Sequence, residues 1–340
     1  MNEEIKLTVN KKVAFEYFLR VGLALILLRI LTTGLQLAVQ YIILGASPET
    51  YMYLADSWWF SWVLSIVPLY AVAFPVFWLA LPRSPQKYEL HKMSAGNLIG
   101  MCAACFPLMY AGSYIGSFVN AVISQIFGIE VPNTLDQILD GSPMWLIALC
   151  TVVIAPIGEE LIFRKLLIDR LAPFGEARAV LFSGLAFGLF HGNFNQFFYA
   201  AFVGILFAYV YVKTKNVWLT VIMHAFMNFI GSIVSLWALR SAAESLNFLE
   251  SEEFLNLGNT EMMQKLIEML PTFIPMFIYL AIMGALVIAG IIYIAVNARK
   301  VRFSPALYSV EGGTNKAIWA NPIIIAALAL MFATFILYLI

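Results

Sequence analysis

The chain has 340 residues, of which 62% are hydrophobic and 12% charged, and its 20 basic and 20 acidic side chains balance to a formal net charge of zero. A soluble globular protein carries about twice that charged fraction, and the mean hydropathy here is +0.86. These values exclude a water-soluble domain and leave no basic surplus for nucleic acid; an all-α, polytopic transmembrane bundle forming a single membrane domain is the expected class.

The first stretch, MNEEIKLTVNKKVAFEYFLR, carries both signs of charge with no small-residue cleavage site, and reads as a cytoplasmic tail rather than a signal peptide. Nine spans are expected at 21–45, 58–82, 98–121, 143–172, 177–192, 195–213, 217–240, 271–296 and 318–340, with eight as the alternative count. Three lie in a membrane region at 1–142, four in a core at 143–240 and two at 271–340. Residues 122–142 read as an outer loop, after which Ser142 caps a helix with Pro143 at its first position. Residues 241–270 are acidic, with Met262, Met263, Leu266, Ile267 and Leu270 on one face. They are expected to lie on the outer membrane surface or to cover the protein from that side.

The basic residues sort to one side of these spans. Lys6, Lys11, Lys12 and Arg20 are followed by Arg83, Lys87 and Lys92, then by Arg164, Lys165, Arg170 and Arg178. Lys213 and Lys215 come next, and then Arg299, Lys300, Arg302 and Lys316. The opposite loops hold only Arg240 and Lys265, against Asp56, Glu130, Asp136, Asp140, Glu250, Glu252 and Glu253. Cytoplasmic loops carry the excess of Lys and Arg, so the N-terminus is expected in the cytoplasm and the C-terminus outside. Cys102, Cys105 and Cys150, all in apolar runs, read as small helix residues rather than a zinc site or a disulfide framework. The closing FILYLI is expected to carry no prenylation box. Gly184, Gly188 and Gly192, then Ala200, Gly204 and Ala208, recur every four residues, a spacing that lets helices approach closely in lipid.

Ionisable residues within the spans are few: Arg29, Glu159, Glu160, Arg164, His191 and His224. Each costs about 3 kcal/mol at a helix centre, so such groups face the protein interior or a polar cavity. Arg29 stands alone and reads as a long stem that snorkels or pairs with a neighbouring helix. Glu160 precedes Arg164 by four residues, the favourable order for an ion pair on one helix face. Glu159 is turned about 100° away and left unpaired by its own helix, which makes it the candidate base. His224 and Asn228 repeat the four-residue spacing, and His191 follows Phe187 by one turn and precedes the breaker Gly192–Asn193. Helix rise brings Glu159 and His224 to about 8 and 10 Å from the inner edge of a ~30 Å core. His191 would be about 20 Å deep unless its helix tilts or begins in the cytosol. Span four, at ~45 Å, outruns the core, so a polar chamber opening toward the cytoplasm is expected.

EELIFR (159–164), FGLFH (187–191) and HAFMN (224–228), in that order on apolar helices, resemble the EExxxR, FxxxH and HxxxN motifs of the CPBP family. This is the family of CAAX proteases and bacteriocin-processing enzymes, also called Abi, which includes the type II CAAX prenyl endopeptidase. The resemblance covers roughly residues 143–230. It implies an intramembrane endopeptidase in which Glu159 and His191 hold and activate water. His224 and Asn228 would then stabilise the oxyanion, while Glu160, Arg164 and Phe187 support the site. It implies no cofactor; the alternative is a divalent metal such as zinc on Glu159, His191 and His224, although HExxH is absent. A peptide or membrane-protein substrate and the lipid bilayer are the implied partners. Two other classes compete: a catalytically silent membrane scaffold or immunity protein, and a proton-coupled transporter. The sequence lacks the interrupted helix pair and repeated halves of many transporters.

Overall fold

The computed structural model describes residues 7–86, 89–129, 131 and 141–339; Lys6, Lys87, Glu130, Asp136 and Asp140, assigned to sides above, lie outside them. After strand β1 (Leu7–Val9), helix α1 (Lys11–Ala46) begins where the Asn10 side chain accepts the Lys12 amide at 2.8 Å. There follow α2 (Pro48–Ala55), α3 (Phe60–Ala80), α4 (Ala95–Phe127), α5 (Met144–Phe174) and α6 (Glu176–Phe190). The second half comprises α7 (Phe194–Thr214), α8 (Val217–Leu249), α9 (Glu252–Leu255), α10 (Asn259–Lys300), β2 (Tyr308–Val310), α11 (Thr314–Trp319) and α12 (Pro322–Leu339). Helices dominate because in lipid a backbone must satisfy its own polar groups.

Among the described residues seven helices, α1, α3, α4, α5, α7, α8 and α10, are long and apolar enough to cross a membrane. The other two expected spans are also helices but shorter: α6 has 15 residues, and the apolar part of α12 is Pro322–Leu337. Helix α6 is the most enclosed, with Phe182, Ser183, Ala186 and Phe187 buried. It packs on α7, which packs on α4; α10 covers the other side of α4, and α1 pairs with α12. Small residues make these approaches possible. A Cβ on Gly188 would lie 2.7 Å from the Phe197 carbonyl, and one on Gly204 would lie 2.9 Å from the Phe187 ring.

Several details differ from the sequence reading. Residues 122–127 belong to α4 rather than to a loop. Pro143 sits in the cap position of α5, extended and without a side-chain cap; the Ser142 hydroxyl instead accepts from Trp62 Nε1 at 2.9 Å. Residues 241–270 are helical over most of their length. Helix α8 continues to Leu249, α10 starts at Asn259, and the two pack together with Ser245 Oγ 2.7 Å from Thr272 Oγ1. Met263, Leu266, Ile267 and Leu270 remain exposed on α10. The N-terminal tail forms a two-stranded parallel ladder, β1 on β2, pairing Leu7 with Tyr308.

The basic segments gather at one end of the bundle. The Leu307 amide donates to the Pro173 carbonyl at 2.9 Å and Ser84 Oγ to the Asp169 carbonyl at 3.1 Å. The His91 amide donates to the Thr214 carbonyl at 2.7 Å, and Lys213 pairs with Glu176 at 2.6 Å. The loops grouped by charge alone are thus neighbours in space.

Gly204→Val should force α6 and α7 apart, at a cost of about 1–3 kcal/mol for overpacking. Gly231→Ala, where an added Cβ meets nothing within 4 Å, should leave stability unchanged. Thermal unfolding of both variants in the same detergent checks the contrast.

Candidate active site

Helix α5 is not a regular α-helix. Two stretches, Ala148–Ile154 and Leu161–Ile168, are π-helical and flank the short α segment Ala155–Glu160 that carries both glutamates. Such widened turns concentrate at functional sites. Pro156 explains one consequence. The Ala155 amide donates to Cys150 O, in the π register. The next bond in that register would join Thr151 O to the nitrogen of Pro156, which has no hydrogen. The Thr151 carbonyl is therefore open, and Asn228 Nδ2 of α8 fills it at 2.7 Å. Proline in a membrane helix is tolerated where a neighbouring side chain takes up the freed group.

Glu160 and Arg164 form the predicted pair, with Arg164 Nε 3.1 Å from Glu160 Oε2 and neither side chain exposed. The guanidinium lies over the Phe187 ring at 4.3 Å and the Phe207 ring at 5.4 Å, and its Nη2 donates to the Gly204 carbonyl at 3.4 Å. Ring faces thus take the place of hydrogen-bond partners for Nη1, which has none among the described residues. The other oxygen of Glu160, Oε1, lies 3.0 Å from His224 Nδ1. That contact was not visible in the sequence, which gave Glu160 a role on its own helix only. Held by Arg164, Glu160 is an acceptor, so Nδ1 of His224 is the donor. The opposite nitrogen, Nε2, faces Glu159 Oε2 at 3.8 Å. Glu159 retains 16% of its side-chain exposure where Glu160 retains none, so of the two carboxylates it is the one water reaches.

His191 ends α6. Its Nδ1 lies 2.8 Å from the Phe187 carbonyl, which only accepts, so Nδ1 carries hydrogen and the Nε2 lone pair is free to bind or deprotonate. Phe187 meets both imidazoles edge-on, at 4.9 Å from His191 and 5.8 Å from His224. The depth conflict in the sequence reading also resolves. Helices α5 and α6 run antiparallel from the Gly175 corner, and Phe163 packs on Phe187 at 5.3 Å. Phe163 and Phe187 are each about 16 Å from that corner by helix rise. One further turn along each helix brings Glu159 and His191 to one level. Neither helix needs to start at the membrane edge.

Tyr70 and Tyr199 were missed by the sequence reading. Both lie within electrostatic range of Glu159, and the Tyr70 ring packs where a Cβ on Gly158 would sit. Each is one aromatic residue in an apolar span with no motif spacing to mark it. Among the described residues no three His, Cys, Asp or Glu side chains group to hold a metal ion.

The site is thus a carboxylate–imidazole–carboxylate line buried in a polytopic helical bundle. Residues 141–230 match the family described as type II CAAX prenyl endopeptidase Rce1-like. The chain is 30% identical over 146 residues to YdiL of Bacillus subtilis (strain 168), whose name makes it a candidate membrane peptidase. That match covers 39% of this chain and 58% of the relative. It is 29% identical over 182 residues to the membrane-embedded CAAX protease MroQ of Staphylococcus aureus (strain USA300), covering 49% of this chain and 72% of the relative. The chain thus spans less than two thirds of the Bacillus relative. No solved structure matches it.

Asn228→Ala should leave the Thr151 carbonyl unpaired and cost about 1–3 kcal/mol. Adding Pro156→Ala restores an amide hydrogen to α5 and should recover part of that loss, as a double-mutant cycle of denaturation midpoints will read.

Proposed function

We propose that the protein is an intramembrane endopeptidase that hydrolyses a peptide bond of a membrane-associated protein or peptide. The observation that carries this reading is the line Arg164–Glu160–His224–Glu159, with contacts of 3.1, 3.0 and 3.8 Å. It supplies a base that water reaches beside an imidazole held in one orientation, the arrangement acid–base hydrolysis needs.

In the proposed reaction a water is held between the Glu159 carboxylate and Nε2 of His191. Glu159 takes its proton as the oxygen adds to the scissile carbonyl carbon. The carbonyl becomes an oxyanion, which accepts hydrogen bonds from His224 Nε2–H and from the Asn228 amide hydrogen that Thr151 does not use. His224 is flanked by Glu160 at Nδ1 and by Glu159 at Nε2. Glu159 then passes its proton to the leaving nitrogen, the C–N bond breaks, and the products leave as a carboxylate and an ammonium once the acid's proton has moved to the amine. Glu160 and Arg164 touch no reacting atom and act by orienting His224. No step uses a metal. The basic end of the bundle is assigned to the cytoplasm because Lys and Arg concentrate there, and substrate enters from that side or laterally from lipid.

Glu159→Ala should abolish cleavage. Asn228→Ala should lower kcat about 10²–10³-fold, the usual loss of one oxyanion donor. Glu160→Gln should lower it at least about 10-fold through His224. Peptidomics of membranes from cells carrying wild type or each variant identifies the substrate, and its cleavage by purified protein gives the rates; full activity in Glu159→Ala would sink the mechanism. Activity should also survive dialysis against a chelator, with elemental analysis of the dialysed protein showing no stoichiometric metal.

A further inference from the structure

Arg29 was expected to snorkel or to pair with a neighbouring helix. It does not snorkel: the residue is 7% exposed. Among the described residues it has no carboxylate partner. Nη1 donates to the Phe190 carbonyl at 2.9 Å, Nη2 donates to the Thr334 hydroxyl, and the guanidinium lies over the Phe190 ring at 5.3 Å. Phe190 is the last residue of α6 and precedes His191. A buried cation is thus set on the C-terminal carbonyls of a short helix, where the helix dipole is negative and the carbonyls lack intrahelical partners.

The residues around it fit this arrangement. Gly192 has φ +72°, and a Cβ there would lie 2.5 Å from Arg29 Nη2 and 3.0 Å from Thr334 Oγ1. Any side chain at 192 would both strain the turn and displace the guanidinium. Asn193 Nδ2 donates to the His191 carbonyl at 3.1 Å and holds the same turn from its other side. Arg29 comes from α1 and Thr334 from α12, both outside the family segment at 141–230.

We propose that Arg29, anchored by Thr334, is a positioning residue that fixes the C-terminal turn of α6 and thereby the imidazole of His191. The catalytic consequence rests on the role given to His191 above; the structural one does not. Arginine suits the position because its planar fork reaches two acceptors from one side chain, which a lysine ammonium does not do in the same geometry.

The test uses the full chain in nanodiscs with ¹⁵N-labelled histidine. There are three histidines, His91, His191 and His224, so single His→Gln variants assign every ring. Arg29→Gln is expected to shift or broaden the His191 ring nitrogens while leaving those of His91 in place. Thr334→Val is expected to move the same signals by less. On the substrate identified above, Arg29→Gln should lower kcat about 10–100-fold at unchanged KM, the scale of a misplaced supporting group. Arg29→Lys should fall between the two. Unmoved His191 signals in a folded Arg29→Gln protein overturn the proposal, as does a loss carried by KM alone. If Arg29→Gln does not fold, Arg29→Lys and Thr334→Val carry the same spectral expectation. Retained activity in Glu159→Ala or His191→Ala would remove the catalytic reading instead, and the His191 signals would still decide what Arg29 does.

Discussion

A carboxylate and a guanidinium, Glu160 and Arg164, lie with no exposed surface inside the helical bundle. Removing one partner of such a pair costs about 3–5 kcal/mol, because the other charge is left uncompensated. The protein therefore packs its central helices around both. Phe187 of α6 and Phe207 of α7 cover the guanidinium, Gly204 of α7 offers its carbonyl, and His224 of α8 takes the remaining carboxylate oxygen. Four helices meet on one ion pair. The orientation of His224, and through it the setting of Glu159, follows from that constraint.

The same constraint shows what could be read from the sequence. Contacts within one helix were legible: Glu160 and Arg164 are four residues apart, and Glu159 is turned off their face. The small-residue interfaces were legible too, since glycine at intervals of four has few other uses in an apolar helix. Contacts between helices were not. Nothing in a single chain says that His224 reaches Glu160 sixty-four positions earlier, or that Tyr70 stands against Gly158. The common level of Glu159 and His191 was not legible either, because it depends on α5 and α6 running antiparallel from the Gly175 corner with Phe163 against Phe187. The packing of α8 against α10 through residues 241–270 was equally hidden, because it joins two helices rather than turns of one.

Pro156 illustrates how a local defect becomes a site. A proline removes one donor from α5, the helix widens on both sides of it, and the freed carbonyl recruits Asn228 from α8. The two motif residues of α8 are therefore held at different heights on α5, His224 by the glutamates and Asn228 by the carbonyl of Thr151. Regular α-helices would offer no free backbone group there, and the amide side chain would have no fixed place in the low-dielectric interior.

The pairing of α1 with α12 has a consequence for assembly. Their contacts, from the Leu7–Tyr308 ladder to the bond between Arg29 and Thr334, join positions some 300 residues apart. A chain that enters the bilayer from its N-terminus has α1, the glutamate helix and both histidine helices in place before α12 is synthesised. Arg29 then lacks one of its two acceptors until α12 arrives. Closure of this outer pair therefore has to wait for a segment some 300 residues further along the chain, and joining ends that far apart carries a large loop-closure entropy.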